Sequence, residues 1–88
     1  MTDENWDSFK KLFAKVHTGF FDAIKQKFPN ITATDARILS LIKLQLSNNE
    51  MANMLGITVE GVKKSKQRLR KKIDLNKDES IETIVAAI

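Results

Sequence analysis

Apolar residues recur along the first third of the chain at steps of three and four: Trp6, Phe9, Phe13, Val16, Phe20 and Ile24, with Leu12, Phe21 and Phe28 flanking them. That spacing forms one stripe of an α-helix and predicts a first helix from about Asn5 to Lys27. Pro29 stops it, because the residue before a proline resists the helical conformation. The segment holds all five Phe and the single Trp, so it must pack on the rest of the domain, on a twin helix, or on both. A second helix is predicted from Thr32, where Asp35 completes a weak capping box; Ile38, Leu39, Leu41 and Ile42 give its core face, and Leu44 to Leu46 ends it. A third begins at Ser47, with Glu50 completing a strong capping box. Met51, Ala52 and Leu55 face inward, and Gly56 suits the left-handed conformation that closes a helix. Thr58 caps a fourth helix running to about Ile73. Asn76 or Asp78 opens a short last one, with Ile81, Ile84, Val85 and Ile88 on one side. No alternating apolar–polar run suggests a sheet. The expected class is all-α, with residues 1–29 as an amphipathic packing or pairing helix and residues 30–88 as a domain of four short helices.

Composition narrows this further. The chain has 88 residues, 42% of them hydrophobic, enough for a single small core. It lacks cysteine, which excludes disulfides and thiolate metal sites. No apolar run nears the roughly 18 residues of a membrane span, and the acidic start Met1 to Glu4 is wrong for a signal peptide, so a cytoplasmic location is expected. The net charge of +4 is unevenly placed: residues 1–58 carry +1, residues 59–72 carry +6 and residues 73–88 carry −3. Such concentration fits a polyanionic partner.

The basic block sits on the fourth predicted helix, directly after a pattern suited to two helices crossing at a sharp turn. Ala52 is small enough for close crossing, Gly56 permits the turn four residues later, Ile57 is expected to plug it, and Val62 anchors the second helix. This is the layout of a helix-turn-helix reader of duplex DNA. On a helical projection Leu69 and Ile73 fall within about 20° of Val62 and define the buried side. Glu60, Lys64, Gln67 and Lys71 lie opposite, with Lys63 and Arg70 on one edge and Arg68 on the other. Lys can donate to guanine edges and Gln can bond adenine. Lys71 lies two turns beyond the centre of the face, where a helix leaving the groove meets backbone, and Arg70 flanks it. Lys66, about 40° from the buried direction, is expected to snorkel past apolar neighbours rather than reach a base.

These residues resemble the LuxR-type (GerE-like) helix-turn-helix domains of bacterial transcriptional regulators. Ile31, Thr32, Asp35, Ile38, Leu39, Leu41 and Ile42 resemble the family's opening Leu-Thr-x-x-Glu-x-x-Val-Leu-x-Leu-Ile. The run from Leu46 through Ser47, Asn48 and Glu50 to Ala52 resembles its Leu-Ser-Asn-Lys-Glu-Ile-Ala, and Leu55, Ile57, Thr58, Val62 and Lys63 resemble its Leu-x-Ile-Ser-x-x-Thr-Val-Lys. Together they cover about residues 31–75. Region four of bacterial sigma factors has a similar core. The resemblance implies a helix of about residues 58–73 in the major groove, often in a dimer on two half-sites. It places Lys63, Lys64 and Gln67 toward base edges and Ser47, Asn48 and Thr58 at phosphates. Gly61, Ser65 and Asn49 replace the family's usual Thr, His and Lys; Gly61 weakens the helix start by roughly 0.5–1 kcal/mol relative to Ala.

The expected partners are therefore double-stranded DNA, a second copy of the chain through the last or first helix, and RNA polymerase. The competing reading is a helical protein-interaction module or a sigma-region-four-like piece acting through polymerase. The aromatic first helix lies outside the family's common core, so the chain is either a fragment or a small stand-alone regulator. Catalysis finds no support: there is no cysteine, one His and no Gly-rich phosphate loop, and the carboxylates are scattered, most of them at helix starts, where the dipole explains them. No metal or cofactor is expected. His17 falls on the apolar stripe as a packed side chain, and Met51 and Met54 read as core fillers.

Overall fold

Local capping chemistry sets most of the element boundaries in the computed structural model, which describes residues 3–73 and 79–88. Among these there are six helices and no strand: α1 (Asp3–Val16), α2 (Phe20–Lys27), α3 (Ala33–Lys43), α4 (Asn48–Leu55), α5 (Val59–Lys72) and α6 (Ile81–Ala86). No described helix is long and apolar enough to cross a membrane.

The single helix expected over residues 5–27 is two helices. Gly19 takes the left-handed backbone conformation (φ 80°) that glycine adopts without a side-chain clash, and the chain turns back there. The reversal is stabilised by what it brings together. On a straight helix, Trp6 and Phe21 would be about 22 Å apart along the axis; here their ring centroids are 6.1 Å apart, edge to face. Phe13 likewise meets Phe20 at 5.2 Å and Phe21 at 5.4 Å. Burial of Phe13 and Phe20 contributes about 1.5–3 kcal/mol each, which outweighs the few backbone hydrogen bonds that an unbroken helix would add. The same break takes Val16 off the buried stripe: it is 76% exposed, and Leu12 is 65% exposed. His17 packs its ring on Phe13 at 4.7 Å.

Phe13, Phe20 and Ile24 belong to one core with Ile38, Leu39, Met51, Val62, Leu69, Ile81 and Val85, so the aromatic hairpin and the later helices share an interior. α3 is the central element. Ala36 and every residue from Ile38 to Ile42 are buried, and the Arg37 guanidinium lies over the Trp6 ring at 4.9 Å, tying α1 to α3. Thr32 caps α3 through a full capping box, its hydroxyl accepting from the Asp35 N–H while its own N–H donates to the Asp35 carboxylate. Ser80 caps α6; the starts considered at Asn76 and Asp78 lie outside the described residues. Ile81 and Val85 are fully buried in the core, so of the apolar stripe on α6 only Ile84 and Ile88 keep partial exposure.

Candidate nucleic-acid interface

α4 and α5 are joined by a turn that the sequence dictates almost atom by atom. Ser47 and Glu50 form a reciprocal capping box at the start of α4, and the Ser47 N–H, which donates to the Glu50 carboxylate, holds that carboxyl below its usual pKa. Ala52 is buried against the neighbouring helix. At the other end Gly56 has φ 71°, and its N–H and that of Ile57 both donate to the Ala52 carbonyl. One residue later the Thr58 hydroxyl accepts from the Gly61 N–H and starts α5. Ile57 does not plug this turn: it is 43% exposed. A Cβ on Gly61 would stand 3.4 Å from Ile57 Cδ1 and 3.4 Å from the Thr58 hydroxyl, so the side chain of Ile57 lies over the first turn of α5 rather than beneath it.

Val62 and Leu69, seven residues apart, are both 1% exposed and fix the rotation of α5. Lys63, Lys64, Gln67, Arg68, Arg70, Lys71 and Lys72 are left exposed. These cations are not equivalent. Lys66 is only 16% exposed and ties three helices together: its ammonium donates to Asn48 Oδ1 on α4 at 2.7 Å and to Glu82 on α6 at 3.3 Å. It therefore ends on partners, where the projection had it merely passing apolar neighbours. Lys72 pairs with Asp35 at 2.8 Å. Burial pushes the Asp35 carboxyl up, but the Lys72 hydrogen bond and charge and the Thr32 N–H outweigh it and hold that carboxyl below its usual pKa. Arg70 donates to the Glu79 carbonyl at 3.4 Å, and Lys63 makes a loose, exposed pair with Glu60 at 3.7 Å, which contributes little. Among the described residues, the side chains of Lys64, Gln67, Arg68 and Lys71 form no hydrogen bond or ion pair. These four line one open depression of about 490 Å³.

The residues singled out from the sequence thus divide. Lys64, Gln67 and Lys71 stand together on the open face, with Lys63 and Arg70 at its margin. Ser47, Asn48 and Thr58 lie at helix starts with their oxygens already accepting from Glu50, Lys66 and Gly61; what they still offer a ligand is the donor side, two hydroxyl protons and an amide. Arg68, placed at the edge by helical projection, joins the open set. Its place there follows from α5 itself, since Lys64, Gln67, Arg68 and Lys71 recur at steps of three and one along one side of the helix. Comparison with protein families, with characterised proteins and with solved structures gives no match.

Proposed function

We propose that the chain is a sequence-specific DNA-binding transcriptional regulator of the helix-turn-helix kind, arranged like the LuxR-type domains, with α5 in the major groove. One observation carries this reading. A helix anchored by Val62, Leu69 and the Gly56 turn presents Lys64, Gln67 and Lys71 on one face, and no other described residue hydrogen-bonds or ion-pairs with their side chains. Uncompensated cations around an amide give a polyanion both attraction and a donor–acceptor pair for a base edge. In this proposal Lys64 and Gln67 read bases, Lys71 meets backbone, and the donors of Ser47, Asn48 and Thr58 touch phosphate. Two copies occupy two half-sites, as in the dimeric readers of this kind.

The test is selection of bound duplexes from a random pool, followed by affinity measurement across a salt series. If about five phosphates are neutralised, log affinity falls against log salt with a slope near −4 to −5. No binding at low salt, or a slope near zero, overturns the reading. Sedimentation on the selected duplex tests the stoichiometry.

A further inference from the structure

Arg68 and Lys71 line more than the depression on the open face of α5. They also wall a second, larger cleft of about 620 Å³ between α5 and the start of α3, whose other walls include Thr34, Asp35, Ser65 and Lys72. Asp35 and Lys72 offset each other there. The Asp35 carboxylate oxygen that accepts from the Thr32 N–H also accepts from the Lys72 ammonium. That leaves Arg68 and Lys71 as the uncompensated charges at the lip, with the Thr34 and Ser65 hydroxyls beside them. Among the described residues, none of these four side chains forms a hydrogen bond or ion pair.

We propose that this cleft seats a phosphodiester of the DNA strand bordering the groove that α5 enters. The proposal rests on the DNA-binding reading and adds a contact from α3, an element outside the two-helix motif. Two cations and two hydroxyls match the donors that position proteins on DNA backbone without reading sequence. The cleft is continuous with the base-facing depression through Arg68 and Lys71, so a strand passing the depression also passes the cleft. A free phosphate has the same local chemistry, but the cleft is open and its cations are exposed to solvent. A polyanion gains from counterion release there, whereas a small anion does not.

Thr34 is exposed in the first turn of α3, where a carboxylate is favourable to the helix, so Thr34→Glu tests the cleft without undermining the fold. Two like unit charges about 5 Å apart repel in water enough for roughly a fourfold loss of affinity, more where water is excluded. Thr34→Glu in the full chain is expected to weaken binding at least that much on both the selected and a scrambled duplex, and to lower the salt slope by about one. Thr34→Gln, which replaces the hydroxyl without adding charge, should weaken both duplexes less than Thr34→Glu does and leave the salt slope unchanged. Arg68→Gln carries the same expectation as Thr34→Glu and replaces it if that variant does not fold. If the parent binds DNA while Thr34→Glu and Arg68→Gln bind like it, the cleft assignment fails and the DNA-binding reading stands. If the parent binds no duplex, both fail together. A loss confined to the selected duplex makes the cleft a base contact and overturns the phosphate assignment. Titration of inorganic phosphate followed by amide NMR covers the other source. Saturable shifts at Thr34 and Arg68, with DNA affinity of the variants unchanged, assign the cleft to the free anion instead.

Discussion

Replacing Lys66 by Met separates the structural from the interfacial cations of α5. Methionine keeps most of the aliphatic stem in place and removes only the ammonium. The contact to Asn48 Oδ1 is short (2.7 Å) and made by a side chain only 16% exposed, so it falls in the class of hydrogen bonds to charged groups, about 1.5–3 kcal/mol. The Glu82 partner is 57% exposed, and its share is discounted to about 0–1 kcal/mol for solvent screening. Asn48 is itself only half-buried, so water reaches the orphaned oxygen and the total settles near 2 kcal/mol. For a chain of this length that lowers Tm by roughly 8–16 °C. DNA affinity of the folded variant, measured by fluorescence anisotropy well below its Tm, should change by no more than about threefold, since Lys66 faces away from the groove. Lys64→Met is the mirror image. Its side chain has no partner among the described residues, so Tm stays put while affinity for the selected duplex falls by roughly 5- to 150-fold, the range for loss of a base contact. If Lys66→Met melts like the parent and binds as poorly as Lys64→Met, the division of α5 into tethering and reading cations is wrong.

Three further outcomes follow from particular contacts. Gln67→Ala should cost roughly 1–3 kcal/mol on the selected duplex and little on scrambled DNA, while Lys71→Ala weakens both nearly equally and reduces the salt slope by about one; equal losses for Gln67→Ala on both duplexes would show that α5 is docked the wrong way round. Gly56→Ala should destabilise by about 1–2 kcal/mol in chemical unfolding, because alanine must then hold the left-handed conformation at φ 71°; a neutral result would mean the turn relaxes. The Asp35 carboxyl has a folded pKa below its unfolded value of about 3.9, so its stabilisation is full above that value and is lost as pH falls through it toward the folded pKa. Thermal melts of the parent and Asp35→Asn from pH 6 to 2.5 should therefore converge at the acid end, and a constant gap would remove Asp35 from the account.

What the sequence determined by itself is whatever depends on neighbours within about one or two helical turns. The boxes Thr32–Asp35 and Ser47–Glu50, the Gly56 stop and the Thr58 cap are all closed by partners three or four residues away. Helical periodicity alone was enough to turn Val62 and Leu69 inward and leave Lys64, Gln67 and Lys71 in water. The same locality misread the first segment. A stripe from Trp6 to Ile24 fits one straight helix as well as it fits two, and the aromatic contacts made across the Gly19 turn, Trp6 with Phe21 and Phe13 with Phe20 and Phe21, choose between them. Tertiary structure also decided which cations are available. Lys66 and Lys72 look no different from Lys64 and Lys71 along the chain, but Asn48 and Asp35, 18 and 37 residues away, neutralise or hold the first pair and not the second. Charge along a helix can be read from spacing; whether that charge is already satisfied depends on what the rest of the chain folds against it, as the start of α3 brings Asp35 to Lys72 but no described carboxylate to Arg68 or Lys71.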